Sequence, residues 1–182
     1  EEKRFGLSQQ LSFIRGKGMK TLPATIAITL AALFWTSTLL AWQGKVSEVI
    51  DARTLLVETE DREVQVTLYG LGVPEDNEPF AAEARKTLQD MTLGQEVEIE
   101  GPSPSSPNVS AVVFIAASDL NLNETMLKNG LAWVWEAYCE KAVLCGRWER
   151  MQGRAQSEGQ GFWPLIPDNR APWKWLKEQG RQ

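Results

Sequence analysis

Short apolar runs separated by polar breaks fill the stretch from Val46 to Glu75. The runs lie at 46–50, 55–57 and 64–71, and a polar break at 60–62 separates the second run from the third. Two alternating runs around such a break are typical of a β-hairpin. The pattern therefore predicts three strands in meander order, which is how a small β-barrel begins.

The rest of the chain alternates between helix and strand patterns. Two further strands are expected at 96–100 and 109–117, and three helices at 80–91, 121–129 and 143–159. The second helix is expected to begin with Asn121 or Asn123 as its N-cap, because an asparagine oxygen accepts a hydrogen bond from the first helical turn.

An uncharged, apolar segment from Thr21 to Trp42 precedes the first strand. Roughly 20 apolar residues span a hydrocarbon core, so the segment is predicted to be a single transmembrane helix that contacts the bilayer. Trp35 and Trp42 are candidates for contact with the membrane boundary or with a partner. A cleaved signal peptide is the alternative, but Leu39-Leu40-Ala41 is a poor cleavage site.

The ends of this segment differ in charge. Residues 1–20 carry five basic and two acidic side chains, and form either a cytoplasmic tail or a short helix on the membrane surface. The positive-inside rule places this end in the cytoplasm. It follows that residues 43–182 are expected on the periplasmic or lumenal side.

The charge of residues 43–182 is negative, with 14 basic and 22 acidic side chains. Phosphate affinity comes from Lys and Arg, so this balance argues against a nucleic-acid partner. The chain has no histidine, which excludes histidine-based catalysis and histidine-ligated zinc. No metal site and no cofactor are predicted.

Several motifs in this chain resemble those of the staphylococcal-nuclease-like (thermonuclease) family. They are Asp51-Ala52-Arg53-Thr54, Leu71-Gly72-Val73-Pro74-Glu75, the stretch from Leu122 to Ala132, and Gly161-Phe162-Trp163. The resemblance implies that residues 43–163 form a five-stranded OB-type β-barrel with about three helices, a mainly β fold of the α+β type.

The resemblance also marks the positions at which the family performs phosphodiester hydrolysis. The family's two metal carboxylates fall on Arg53 and Gly72, and its two arginines fall on Thr67 and Ser110. Only Glu75, at the position of the general base, keeps its carboxylate. Because the loss of one oxyanion donor already costs about 10²–10³ in rate, the substitutions predict a catalytically inactive pseudo-nuclease.

The chain has two cysteines, Cys139 and Cys145. In a non-cytoplasmic compartment we expect them to form a disulfide that contributes roughly 2–3 kcal/mol. Two free thiols are the alternative.

A tryptophan-rich tail follows the barrel at residues 164–182 and contains Trp173 and Trp175. Exposed aromatic side chains of this kind either dock back onto the barrel or contact a partner.

Together these features predict a membrane-anchored, inactive nuclease-like domain. It would act as an accessory or scaffolding subunit of a larger membrane complex, such as a respiratory or photosynthetic one. The alternatives are a weak metal-dependent phosphodiesterase that uses Glu75, and an OB-type ligand-binding module.

Overall fold

A computed structural model describes residues 41–167 and 171–180 of the chain. In chain order the strands are β1 (Ala41–Asp51), β2 (Thr54–Glu58), β3 (Glu63–Leu68), β4 (Leu71–Gly72), β5 (Glu96–Glu100), β6 (Asn108–Ile115), β7 (Leu120–Asn121) and β8 (Trp133–Val134). The α-helices are α1 (Ala81–Thr92), α2 (Leu122–Lys128), α3 (Ala142–Ser157) and α4 (Pro172–Gln179), with short 3₁₀ turns at Glu136–Tyr138 and Trp163–Leu165.

Five of the strands close into a β-barrel. Antiparallel pairs run in the order β3-β2-β1-β5-β6, and a parallel pairing between β3 and β6 closes the ring. The long strand β1 serves two neighbours, because residues 41–45 pair with β5 and residues 45–51 pair with β2. The predicted five-stranded barrel is therefore confirmed.

Inward-facing aliphatic side chains fill the barrel. They share an exposed fraction of 1% or less and include Val46, Leu55, Val57, Val64, Val66, Leu68, Val97, Ile99 and Val113. Burying each such side chain contributes about 1.5–3 kcal/mol. This core fixes the strands, and thus holds the turns and the closing pair of strands from which the site is built.

The helix α2 shows the role of its two candidate caps. Asn121 is the N-cap, since its Oδ1 accepts a hydrogen bond from the Glu124 backbone at 3.0 Å. Asn123 is instead fully buried and joins β6 to the turn after β3: it accepts a hydrogen bond from Val113 N at 3.1 Å and donates one to Tyr69 O at 3.1 Å. All three predicted helices are present, and α4 is an additional one.

The apolar segment predicted at 21–42 lies largely outside the described residues, as do Trp35 and the basic residues 1–20. Its last two residues are described, and they belong to β1 rather than to a helix. Trp42 pairs with Ile99 and donates an indole hydrogen bond to Pro102 O at 2.9 Å. This corrects the predicted end of the segment. Between 41 and 180, leaving out 168–170, no helix has the length and apolar character needed to cross a membrane.

The tryptophan-rich tail docks back onto the domain. Leu176 of α4 is fully buried in a second apolar cluster with Trp133, Phe162 and Trp163. Trp175 packs against the same cluster. Of the two expectations for this tail, docking is the one that the structure shows.

Cys139 and Cys145 form a disulfide with a Cα–Cα distance of 5.8 Å. This confirms the predicted pair and excludes the two free thiols. The bond ties the segment after Tyr138 to the first turn of α3.

Candidate functional site

The turn between β1 and β2 presents Arg53 at one end of the barrel. Asp51 shapes this turn, because its Oδ1 accepts a hydrogen bond from the Arg53 backbone at 2.8 Å. The Arg53 guanidinium donates one hydrogen bond, from Nη1 to Leu71 O at 2.9 Å, and its Cζ lies 5.9 Å from the centroid of the Trp135 ring. A guanidinium has five N–H donors, so donors remain for a ligand.

A cleft of about 390 Å³ opens beside Arg53, at the seam where β3 meets β6. Thr67 and Ser110 line it and are direct partners in the parallel pairing of these strands. Tyr138 closes another side, and none of the described lining residues is acidic. The barrel thus brings together Arg53, Thr67 and Ser110, three positions that the sequence singled out.

Glu75 lies in a neighbouring depression that Arg53 also lines, together with Asp51, Asp76 and Trp135. The Glu75 side chain is exposed. Arg53 therefore lies between a cleft without carboxylates and a depression that holds the candidate general base.

Gly72 contributes no side chain to the cleft, and the packing around it explains why. It pairs with Trp133 across β4 and β8, and a Cβ atom on Gly72 would come within 2.3 Å of the Trp133 indole. The indole is 2% exposed. Residue 72 must be glycine as long as this tryptophan fills the space beside it, so a carboxylate does not fit here.

The donor set around Arg53 does not fit the divalent cation that the family resemblance implies. A hard cation is held by several oxygen ligands, yet one of the two family carboxylate positions is a guanidinium and the other a glycine against an indole. In the described part of the chain no group of three or more acidic, cysteine or histidine side chains could hold a metal ion. No chemical step is therefore assigned to a metal.

A family profile described as "Staphylococcal nuclease homologue" matches residues 65–164, which is more than half of the chain. This chain belongs to the staphylococcal nuclease family. It is 26% identical over 170 residues to a micrococcal nuclease of Shigella flexneri, an alignment that covers 87% of this chain and 96% of the relative.

Two further relatives of this staphylococcal nuclease homologue have similar names. An uncharacterized endonuclease of Haemophilus influenzae is 26% identical over 68% of this chain and 69% of its own length. A probable staphylococcal-like nuclease of Oryza sativa subsp. japonica, CAN1, is 27% identical over 65% of this chain, but over only 34% of its own length.

These names contradict the prediction that the chain is not an enzyme. The prediction rested on the replaced side chains at family positions, and it discounted Arg53 because this residue stands at a metal position rather than at a phosphate-binding one. In the structure Arg53 places a positive charge where it lines both the cleft and the Glu75 depression.

Glu78 supports the loop that carries Glu75 in this nuclease homologue. Its carboxylate accepts a hydrogen bond from the Glu75 backbone at 2.8 Å, and the residue is 9% exposed. Burial raises the pKa of the Glu78 carboxyl, and the nearby Glu75 carboxylate adds to the rise. The hydrogen bond from Glu75 N and the charge of Lys177 on α4 oppose it.

Sequence reasoning missed Glu78, Trp135 and Tyr138 as parts of this site. Nothing in their spacing relates them to Arg53, which lies at least 25 positions earlier in the chain. The only signal was the high count of eight tryptophans, which indicated packed or exposed aromatic surfaces without locating them.

Proposed function

We propose that this chain is a nuclease-type domain that binds and cleaves nucleic-acid phosphodiesters at Arg53. One observation carries the proposal: the Arg53 guanidinium lines both the carboxylate-free cleft and the depression that contains Glu75. A phosphate bound by Arg53 in the cleft would therefore lie next to the Glu75 carboxylate. The names of the similar proteins support the same class of reaction.

Each side chain has a distinct role in this proposal. Arg53 binds the phosphate oxygens by charge-assisted hydrogen bonds. The hydroxyl groups of Thr67 and Ser110 donate further hydrogen bonds to the negative charge that develops on phosphorus. Glu75 takes a proton from water as the water oxygen adds to phosphorus and one P–O ester bond breaks. The departing sugar oxygen takes a proton from solvent, and Glu75 returns its own proton to solvent.

The depression beside Arg53 holds Asp51, Glu75 and Asp76, but much of the domain's remaining negative charge lies away from the cleft. Acidic side chains lie on β5, at Glu96, Glu98 and Glu100, and in the turn from Glu60 to Glu63. The lining of the cleft beside Arg53 includes none of them. Local charge, rather than the total, decides where a phosphate binds.

Cleavage of end-labelled single-stranded DNA and RNA by the full chain tests the proposal. We expect Glu75→Gln to lower the rate at least about 100-fold, because it removes a general base. Arg53→Ala is expected to cost about 10²–10³-fold, as the loss of an oxyanion donor does. A parallel assay with EDTA shows whether metal ions, added or co-purified, change the cleavage rate.

Matched controls come from the turn between β2 and β3. Glu60 and Arg62 are exposed and lie outside both depressions, so Glu60→Gln and Arg62→Ala should cleave at the wild-type rate. The proposal fails if the wild-type chain shows no cleavage at high protein concentration. It also fails if Glu75→Gln, purified in the same way, cleaves equally fast.

A location outside the cytoplasm is a further part of the proposal. The Cys139–Cys145 disulfide supports it, because such bonds persist in oxidising compartments. The membrane anchor at 21–42 and membership of a larger membrane complex stay predictions. Native-gel migration of the chain from gently solubilised membranes, followed by mass spectrometry of the band, tests these two predictions. Migration as a lone protein would contradict membership of a larger complex.

A further inference from the structure

A groove between the end of α2 and one face of α3 is positively charged, unlike the domain as a whole. Its volume is about 530 Å³. Four of the 14 basic side chains in residues 43–182 line it, namely Lys128, Arg147, Arg150 and Arg154. We call it the basic groove. In the described part of the chain it shares no lining residue with the cleft beside Arg53 or with the Glu75 depression.

Two of these four cations are already paired, and two are not. Glu124 contacts Arg147 Nη2 at 2.6 Å and Lys128 Nζ at 3.3 Å. The Arg150 and Arg154 side chains are exposed, and neither has a hydrogen-bond or ion-pair partner among the residues that the structure describes. The groove therefore holds two guanidinium groups whose donors are available to a ligand.

The spacing on α3 sets the arginines in a row. Arg147, Arg150 and Arg154 are three and then four residues apart, so they lie on one face of the helix and span about 10 Å along its axis. Glu158, at the end of the row, is the one carboxylate among the described lining residues. A row of cations along a helix is typical of proteins that bind a repeating anion such as a phosphate backbone.

The groove lacks the apolar surface with which a protein enters a membrane. Its apolar lining residues are Met151, which is half-buried, and Ala155, which is 2% exposed. Helices that bind in the membrane interface insert large apolar side chains beside their cations. The lining therefore favours a hydrophilic polyanion over a lipid surface.

The cleft alone offers little positive charge to a long strand, because Arg53 is the only basic residue among its described lining residues. The basic groove is close enough to add charge. Tyr138 lines the cleft, and α3 begins four residues later at Ala142. The backbone from Tyr138 to Arg154 spans at most about 32 Å. About ten nucleotides cover that distance even at the 3.4 Å rise of a duplex strand.

We propose that the basic groove is an exosite, a binding site separate from the cleft, for the phosphate backbone of a nucleic-acid strand that extends from the cleft. The inference rests on the proposed function for its ligand, but its residues take no part in cleavage. Contacts to phosphates carry no sequence information. The exosite should therefore add affinity for long strands without a preference for particular bases.

Binding of the full chain to labelled oligothymidylates tests the exosite, with Glu75→Gln in every variant so that the probe stays intact. We expect the double variant with Arg150→Gln and Arg154→Gln to bind a 20-mer roughly 25-fold more weakly at 0.1 M salt. The slope of log K against log salt should become shallower by about 1.4, because each phosphate contact on a single strand contributes about 0.7. Affinity for a trimer should not change. Lysine at both positions keeps the charge and should retain most of the affinity for the 20-mer.

A second double variant controls for total charge. Lys45 and Arg62 are exposed and line neither the basic groove nor the two depressions at Arg53. Lys45→Gln with Arg62→Gln thus removes two positive charges from elsewhere on the domain. This variant should bind the 20-mer nearly as tightly as its parent, because salt screens distant charges. An equal loss of affinity in the two double variants overturns the exosite.

Two further results would also overturn it. One is an unchanged affinity and salt slope for the 20-mer in the Arg150→Gln and Arg154→Gln variant, even if that variant loses binding to phosphatidylglycerol vesicles. The other is an equal loss of affinity for the trimer and the 20-mer.

Kinetics with Glu75 intact separate the exosite from the proposed function. The Arg150→Gln and Arg154→Gln variant should raise KM for the 20-mer and leave kcat unchanged. If this variant cleaves the 20-mer with the KM of the wild type, the exosite fails and the proposed function stands. If the wild type cleaves nothing but binds the 20-mer with the expected salt slope, and the double variant loses it, the proposed function fails and the exosite stands.

Discussion

Thr67 and Ser110 are Cα partners in the parallel pairing that closes the barrel between β3 and β6. The family resemblance places an arginine at each of these positions. In this chain both positions carry hydroxyl groups, and the nearby positive charge comes from Arg53, which lines the same cleft. Where β3 meets β6, this chain thus has neutral hydroxyl donors at the positions where the family has charged guanidinium groups.

Restoring charge at this seam should raise activity. We expect Ser110→Arg, alone and together with Thr67→Arg, to increase the rate of single-strand cleavage at least about tenfold, because each arginine adds donors for the developing oxyanion. Ser118→Arg is the matched control, since Ser118 is exposed and follows the opposite end of β6. An equal rate in all of these variants would show that the cleft does not hold the reacting phosphate.

Replacing Gly72 should destabilise the fold. An added methyl group would collide with the Trp133 indole, and overpacking of this kind costs about 1–3 kcal/mol. Gly153→Ala is the matched control, because a Cβ there meets nothing within 4 Å and the residue lies within α3. That change should raise the free energy of unfolding by about 0.5–1 kcal/mol. Urea denaturation measures the free energy of unfolding of both variants. A Gly72→Ala variant as stable as the wild type would contradict the packing argument.

Loss of the disulfide should lower the free energy of unfolding by roughly 2–3 kcal/mol, because the bond restricts the unfolded chain. The variant with Cys139→Ala and Cys145→Ala and the reduced wild type should both show this loss in urea denaturation. Reducing agent should leave the double variant unchanged. If the reducing agent lowered the free energy of unfolding of the double variant, its effect would not come from the disulfide.

The stability of the protein should depend on the titration of Glu78. Since burial raises the pKa of Glu78, the folded state keeps this proton at pH values where the unfolded state has released it. The free energy of unfolding therefore falls as pH rises from the ordinary carboxyl range through the raised pKa. Glu78→Gln keeps an acceptor for Glu75 N and removes the titration.

We expect the stability of Glu78→Gln relative to wild type to increase across that pH window and then to level off. Urea midpoints measured at a series of pH values test this. Glu83→Gln, on the exposed face of α1, serves as the matched control. A difference between Glu78→Gln and wild type that stays constant with pH would contradict the assignment.

The barrel could be predicted from the sequence because two of its strands alternate regularly between buried and more exposed residues. In β3, residues Val64, Val66 and Leu68 point inward between polar neighbours, and β5 repeats the same alternation. The short turns between such strands leave few other arrangements.

Hydropathy alone could not find where β1 begins. Ala41 and Trp42 are the first described residues of this strand, yet they continue the uncharged stretch that begins at Thr21. The eight-residue helix α4 was missed for a different reason. A helix of this length depends on tertiary packing, which here means the burial of Leu176 against residues far back in the chain.

Only part of the candidate site could be predicted from the sequence. Motif spacing located Arg53, Thr67 and Ser110, and the structure brings them together. The contact between Gly72 and Trp133 joins residues 61 positions apart. No local pattern encodes a contact of that range, so the reason that a carboxylate is absent there could not be read from the sequence.

The position of α4 in the chain has a consequence for biosynthesis. Its residues leave the ribosome after every strand of the barrel, and domains begin to fold as the chain emerges. A nascent chain that has not yet released α4 can close the barrel around Arg53, but it lacks Trp173 and the hydrogen bond between Asn77 and Gly180. The helix that packs against the Trp133 cluster and the Glu75 loop is therefore completed last, after the barrel itself.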